Sequence, residues 1–133
     1  MTRAFLDTNI LIYIYSVDEP DKRKQAITQM NSYYRIVSTQ ILSEFCSVSI
    51  RKLMQPNVIE ESLSLIRRKN KISIVTLNTI KKGIYIQSKY NFTYYDSLII
   101  ASALETECDF LITEDLQNGQ LFEEKLTIFN ILV

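Results

Sequence analysis

Four acidic side chains of this chain stand among apolar residues. They are Asp7 after Ala-Phe-Leu, Glu44 between Ile-Leu-Ser and Phe, Asp96 shortly before Leu-Ile-Ile, and Asp115 soon after Phe-Leu-Ile. An ionised carboxylate in apolar surroundings is costly unless a hydrogen bond, a counter-charge or a proton compensates it. Two carboxylates about 4 Å apart repel by roughly 4 kcal/mol at an effective dielectric constant of about 20. Four in one pocket therefore require protonation, a Lys or Arg partner, or a divalent cation.

The residue types present in the sequence exclude several kinds of catalytic site. No Lys or Arg stands within the four motifs, so oxygen ligation of a hard cation, Mg²⁺ or Mn²⁺, is the simplest compensation. The sequence contains no His, which excludes Ser-His-Asp and Cys-His nucleophiles, an imidazole base and His-ligated metal sites. With glycine only at Gly83 and Gly119, a glycine-rich loop that cradles phosphates is excluded as well.

Each acid also has an ordinary structural explanation. Asp7 can cap a helix that begins near Asn9, and Asp96 can favour the dipole of the helix whose first turn it occupies. Glu44 can lie on a solvated helix face, and Asp115 can be a turn residue. Glu114 beside Asp115 is expected to be exposed, although it can also be a supplementary ligand. One of these acids alone decides nothing, but four at corresponding positions favour a shared site.

Short strand-like runs alternate along the chain with longer helical periods. Strands are predicted at 4–6, 36–37, 72–75, 110–112 and 126–133. Helices are predicted at 9–15, 21–34, 39–53, 58–69, 78–90 and 94–106. Ser38 or Thr39 is expected to cap the third helix, whose apolar stripe ends at Leu53, and Thr93 the last.

This alternation predicts an α/β fold with three layers, in which helices cover both faces of a central, mostly parallel sheet of four to five strands. The carboxyl ends of parallel strands share one edge of the sheet, and ligands bind there. Two of the acids follow strands and two lie early in helices, so all four should point to that edge. The helix at 94–106 is apolar on nearly every side, so it is either central or lies at a subunit contact.

Length and composition indicate one globular domain. The chain has 133 residues, of which 47% are hydrophobic and 23% charged, and this excludes a mostly disordered protein. Cys46 and Cys108 are too few for a disulfide scaffold and are predicted to be buried, reduced thiols. The apolar run at 10–15 is shorter than a signal-peptide core or a membrane span. We therefore expect a cytoplasmic protein without a membrane partner.

The first two motifs resemble those of the PIN domain family, the nuclease fold of the VapC-type toxins in bacterial toxin–antitoxin pairs. FLDTNILIY at 5–13 is similar to the opening motif, in which Asp7 matches the first metal-binding acid and Asn9 the polar residue that steadies the site. STQILSEF at 38–45 is similar to the second motif, with Glu44 as its acid.

The last two motifs extend the resemblance over essentially the whole chain. YYDSLIIASALE at 94–105 is similar to the third motif of the family, with Asp96 as the matching ligand. LITEDLQNG at 111–119 is similar to the fourth, where Thr113 and Asp115 match the family's Thr and acid two residues apart.

The resemblance implies a single PIN domain over residues 1–133 and a metal-dependent endoribonuclease, the toxin of a type II toxin–antitoxin pair. The four acids would be the catalytic residues and would hold one or two Mg²⁺ or Mn²⁺ ions. Metal-activated water can attack phosphorus in line without any His. Asn9, Ser97 and Thr113 would orient the carboxylates by hydrogen bonds. An RNA substrate, a cognate antitoxin on a separate chain and a homodimer are implied as well, while the RNA-binding residues stay unassigned.

A net charge of zero conceals a dipolar distribution of charge. Residues 51–89 carry nine basic side chains against two acidic ones, whereas residues 90–133 carry eight acidic ones against Lys125. The basic part, including RRKNK at 67–71, can contact RNA phosphates around the acidic centre, or it can form solvated helix faces. Four tyrosines can stack on bases or pack in the core. These are Tyr33, Tyr34, Tyr94 and Tyr95.

Two other functions stay open on the sequence. An inactive PIN-like module would bind RNA or a partner protein without cleaving it, and would differ by binding no divalent ion. A phosphotransfer protein would use Asp7 as its nucleophile. Such enzymes usually place a second Asp two residues further on, where this chain has Asn9.

Overall fold

The computed structural model describes residues 1–15 and 20–131, apart from the side chain of Lys22. Within these residues the chain forms six strands and six helices. The strands are β1 Thr2–Leu6, β2 Tyr33–Ser38, β3 Lys71–Ser73, β4 Phe110–Thr113, β5 Leu121–Phe122 and β6 Leu126–Asn130. The helices are α1 Thr8–Tyr15, α2 Pro20–Met30, α3 Thr39–Arg51, α4 Pro56–Lys69, α5 Leu77–Tyr90 and α6 Tyr94–Glu105.

The strands form one sheet in the order β3-β2-β1-β4-β6-β5. All neighbouring strands pair in parallel except β5, which is antiparallel to β6. From β1 the chain proceeds outward to β2 and β3, and from β4 it proceeds outward to β6 in the opposite direction. The strands β1 and β4 therefore flank the switch point of the sheet, beside which open α/β sheets bind their ligands.

Local signals in the sequence explain where several helices begin. The hydroxyl of Ser38 accepts a hydrogen bond from the N–H of Ile41 at 3.3 Å and caps α3. The hydroxyl of Thr93 accepts one from the N–H of Asp96 at 3.2 Å and caps α6, as the sequence predicts. Pro56 opens α4 at a position where the missing N–H has no partner to lose.

Helix α6 is buried within the chain itself. All residues from 97 to 104 are buried, and the helix packs against α5, β2 and β4. Gly83 permits the close approach of α5, because a Cβ atom there would lie 3.3 Å from Cδ1 of Leu98. Of the two alternatives for this helix, the structure supports the central position. Asp96, in its first turn, is thus carried by one of the most firmly packed elements.

The predicted fold class is confirmed, whereas the strand count and one helix boundary differ. The sheet has six strands because the two-residue β5 joins its edge, and so short a strand has no periodicity to detect. Helix α2 ends at Met30, and β2 begins at Tyr33, inside the range predicted as helix. The parallel pairing of Tyr33 with Thr2 accounts for this difference, because strand formation depends on the neighbouring strand more than on local preference.

Two further boundaries are shifted for reasons of pairing and backbone geometry. Strand β3 ends at Ser73 rather than at residue 75, opposite the last residue of β2. Helix α3 ends at Arg51, and Leu53, with φ of 60° and 86% exposure, lies outside the core stripe. The last two residues of the strand predicted at 126–133 lie outside the described residues.

The cysteines and the helix lengths bear on two further expectations. Both cysteines are free; Cys108 is buried as predicted, whereas Cys46 is only half-buried. In the part of the chain that the structure describes, none of the helices has the length and apolar character needed to cross a bilayer.

The central position of α6 leads to a prediction for stability. Ile100→Ala is expected to lower the free energy of unfolding by about 2–5 kcal/mol, because truncation of a fully buried side chain leaves a cavity. Urea denaturation followed by circular dichroism measures this change. Ile84→Ala on α5 is the matched control, since Ile84 is 58% exposed, and its effect should stay within about 0.5 kcal/mol. Equal losses in both variants would contradict the described packing.

Candidate active site

A cavity of about 260 Å³ lies beside the carboxyl ends of β1 and β4. Its walls come from the turn into α1, one face of α3, the first turns of α6 and the loop after β4. The structure brings all four acids singled out in the sequence to this cavity. They are Asp7, Glu44, Asp96 and Asp115.

Asp7 is the most deeply buried of these acids, with 8% of its surface exposed. Its Oδ1 accepts a hydrogen bond from the N–H of Thr8 at 2.7 Å, and its Oδ2 accepts one from the hydroxyl of Thr113 at 2.7 Å. Burial raises the pKa of Asp7 to about 6, partly opposed by these two hydrogen bonds and reinforced by the charges of Asp115 and Glu44. The carboxylate therefore favours a proton or a cation near it.

Glu44 reaches the cavity from α3 and is held by two side chains. The hydroxyl of Thr8 donates to Oε2 at 2.7 Å, and the amide of Gln40 donates to Oε1 at 2.9 Å. The same amide nitrogen donates to the backbone carbonyl of Tyr95 at 3.2 Å, which ties α3 to the start of α6. Neither Thr8 nor Gln40 is predicted from the sequence. Their signal is spacing, because Thr8 is adjacent to Asp7 and Gln40 lies one helical turn before Glu44.

Asp96 and Asp115 complete the acidic lining of the cavity. The amide of Asn9 donates to Oδ2 of Asp115 at 3.3 Å, and the N–H of Asp115 donates to the hydroxyl of Thr113 at 3.1 Å. Burial raises the pKa of Asp115, and the charges of Glu114 and Asp96 add to this effect. Of the two residues predicted to support the carboxylates, Asn9 thus contacts the carboxylate of Asp115, and Thr113 contacts the carboxylate of Asp7 and the backbone of Asp115.

Two residues near the site are placed differently from expectation. The hydroxyl of Ser97 donates to the carbonyl of Thr93 at 2.8 Å, so it closes a helical turn instead of orienting a carboxylate. Glu114, expected to be exposed, is half-buried, and each of its carboxylate oxygens lies 2.6 Å from the hydroxyl of Tyr13. This expectation is wrong because α1 packs beside β4 and covers the start of the following loop.

The basic and aromatic residues considered for RNA binding are divided between the two ends of the parallel strands. The cluster at 67–71 leads into the start of β3, and Tyr33 and Tyr34 begin β2. The starts of these parallel strands lie at the end of the sheet opposite the cavity. This position favours a solvated helix face for the basic cluster and packing for the two tyrosines, over contact with a ligand in the cavity. Arg51 and Tyr95, in contrast, line the cavity.

The donor set suits a hydrated divalent cation. The carboxylates offer hard oxygen ligands, and burial of Asp7 without a basic partner favours a positive charge beside it. Across residues 1–15 and 20–131, no three acidic or thiol side chains meet closely enough to enclose an ion by themselves. Mg²⁺ is commonly held by one or two carboxylates and keeps several waters. The residues therefore fit an open, water-rich metal site.

Comparison with models of known families identifies the class to which this chain belongs. The model of the PIN domain family matches residues 4–120. The chain therefore belongs to the PIN domain family, and the resemblance carried by its four motifs is confirmed.

Solved structures of toxin–antitoxin proteins share this fold at low sequence identity. A toxin–antitoxin complex from Klebsiella pneumoniae has a TM-score of 0.73 and 17% identity, covering 96% of this chain and 97% of that chain. VapC20 from Mycobacterium tuberculosis, described as a sarcin-ricin loop cleaving toxin, has a TM-score of 0.68 and 11% identity, with coverage of 81% and 86%. DNA-bound VapBC from Salmonella typhimurium has a TM-score of 0.65 and 15% identity, with coverage of 98% and 99%. No curated protein sequence matches the chain.

The burial of Asp7 predicts a pH-dependent stability in the absence of divalent ions. The folded pKa of Asp7 is about 6, above the value of about 3.9 for an unfolded chain. Folding therefore favours the protonated form, and this contribution of up to about 3 kcal/mol is lost as the pH rises through 6. Asp7→Asn removes the ionisation, so its stability relative to wild type should increase between about pH 4 and pH 8. Urea denaturation in EDTA measures the difference.

The exposed acid Asp21 supplies the control for this measurement. Asp21→Asn should follow the wild-type profile over the same range of pH. If the difference in the free energy of unfolding between wild type and Asp7→Asn stays constant with pH, the pKa of Asp7 is not raised by burial.

Proposed function

We propose that this protein is a metal-dependent endoribonuclease that hydrolyses phosphodiester bonds in RNA, with residues 1–133 as a single PIN domain. The observation that carries the proposal is the convergence of four carboxylates from four separated segments on one cavity. Membership of the PIN domain family supports it. A further support is the shared fold with VapC20, which is described as a cleaving toxin.

Each proposed catalytic and metal-binding residue has a defined means of support. Thr8 links two of them, because its N–H binds Asp7 and its hydroxyl binds Glu44. Asn9 orients Asp115, and the cap of α6 fixes the backbone of Asp96. The carboxylates are therefore placed before a ligand arrives, and little reorganisation is needed to bind one.

The proposed cofactor is Mg²⁺ or Mn²⁺, bound by Asp7, Glu44, Asp96 and Asp115 together with water. When bound, the ion supplies a Lewis acid for phosphate oxygens and lowers the pKa of a bound water. The protein provides the negative charge that retains the ion. Asp7 contributes most to this retention, because its carboxylate is held by two hydrogen bonds yet lacks a basic partner.

We further propose that the protein is the toxin of a type II toxin–antitoxin pair, acting on cytoplasmic RNA. Its partners would be a cognate antitoxin on a separate chain and a second copy of this chain. The toxin–antitoxin complexes that share its fold support this role. Exposed apolar side chains at Ile74 and Leu77 offer contact surface for protein partners.

Cleavage of RNA by the purified protein tests the enzymatic proposal. We expect cleavage with Mg²⁺ or Mn²⁺ and none in EDTA. Asp7→Asn and Asp96→Asn should each lower the rate by more than about a hundredfold, since each removes an anionic ligand. Labelled RNA analysed on denaturing gels provides the measurement, and circular dichroism confirms the fold of each variant.

Glu124 supplies a matched control, because it is exposed and lies between β5 and the start of β6, at the end of the parallel strands opposite the cavity. Glu124→Gln should cleave at the wild-type rate. Cleavage that persists in EDTA, or that survives both active-site substitutions, would overturn the proposal. Binding of RNA without any cleavage would instead indicate the inactive PIN-like module.

The toxin role predicts an effect on growing bacteria. Induced expression of the wild-type chain should arrest growth, whereas Asp96→Asn at the same protein level should not, because it lacks the metal ligand. Growth curves and immunoblots measure the two quantities. Co-expression of the neighbouring reading frame should restore growth, and equal arrest by wild type and Asp96→Asn would contradict a nuclease toxin.

A further inference from the structure

One face of α3 carries both an acidic and a basic side chain into the wall of the cavity. Glu44, Ser47, Val48 and Arg51 line it at spacings of three and four residues, so they share a helix face. Arg51 lies seven residues after Glu44, which corresponds to about 10 Å along the helix axis. The arginine therefore stands at the rim of the cavity and not among the carboxylates.

The guanidinium of Arg51 is available to a ligand. Arg51 is exposed, and within the described part of the chain its guanidinium forms no hydrogen bond, ion pair or ring contact. Among the cationic residues described, it is the one that lines the cavity. An unpaired guanidinium with five donors suits the bidentate binding of a phosphate.

Tyr95 forms the opposite side of the rim, on α6. Its side chain is 66% exposed. Its ring contacts Tyr94 edge to face at a centroid distance of 5.3 Å, which leaves a ring face open. The bond from Gln40 to its backbone carbonyl fixes its position relative to α3.

We propose that Arg51 and Tyr95 together bind the nucleotide next to the scissile phosphate, with its phosphate on Arg51 and its base on the ring of Tyr95. The inference rests on the proposed nuclease function. It assigns substrate positioning to two residues outside the acidic set, one on each side of the cavity. A base that stacks on Tyr95 must have that face free of a neighbouring base, which favours a single-stranded segment.

Kinetics and binding on one short, single-stranded, fluorescently labelled RNA test this proposal. Arg51→Ala should raise KM about tenfold with kcat nearly unchanged, and should reduce the slope of log(kcat/KM) against log salt by about one unit. Arg51→Lys should restore the salt slope, since it returns the charge. Tyr95→Ala should raise KM about tenfold at an unchanged salt slope, and Tyr95→Phe should restore KM because stacking needs only the ring.

Lys125 provides the control, because it is exposed and directly precedes β6, at the end of the parallel strands opposite the cavity. Lys125→Ala removes one positive charge and should leave KM and kcat unchanged. If wild type cleaves RNA and Arg51→Ala has the KM and salt slope of Lys125→Ala, the inference is overturned while the nuclease function stands. If Arg51→Ala leaves KM unchanged and instead tightens Mn²⁺ binding, measured by calorimetry, Arg51 is a counter-charge for the carboxylates and the inference is again overturned.

Fluorescence anisotropy of the same RNA separates failure of the inference from failure of the proposed function. An inactive wild type in Mn²⁺ would refute the nuclease. Weaker binding by Arg51→Ala and Tyr95→Ala than by Lys125→Ala would still support the binding pair. Equal binding by all three variants would refute it.

Discussion

The parallel pairing of β1 with β4 is the constraint on which the acidic site depends. Leu6 aligns with Ile112 in this pairing, and the N–H of Asp7 donates to the carbonyl of Ile112 at 3.0 Å. The alignment places the hydroxyl of Thr113 against the carboxylate of Asp7. Because side chains alternate between the two faces of a strand, a shift of one residue would turn Thr113 away and leave a buried oxygen without its partner. Strand register thus controls the electrostatics of the cavity.

The carboxylates illustrate a conflict between stability and ligand binding. Burial raises the pKa of Asp7 and works against its ionised form, while two hydrogen bonds favour that form. An uncharged residue at this position would avoid the desolvation cost of the carboxylate. A cation that binds beside Asp7 offsets this desolvation cost and thereby stabilises the folded protein.

Helices α3 and α6 form two walls of the cavity beside the paired strands β1 and β4. Helix α6 is buried along most of its length, so its first turn holds Asp96 and Tyr95 firmly. Helix α3 is tied to it through Gln40, which contacts both Glu44 and the backbone of Tyr95. The acids thus line the cavity, while a cation and an aromatic ring stand at its rim. This arrangement separates metal binding from contacts to a polyanionic ligand, which a chain of zero net charge cannot attract in bulk.

The amino-acid sequence by itself determined the α/β class, the order of the main elements and the four acidic motifs. These features are encoded locally, in periodicity, in helix caps such as Thr93 and in acids that follow apolar runs. Only the tertiary structure decided which strands are neighbours. On that choice depend the extended conformation of Tyr33, the burial of Glu114, the supporting role of Thr8 and the placement of the basic cluster at 67–71 away from the cavity. Each of these follows from contacts between segments distant in the chain, and no local pattern contains them.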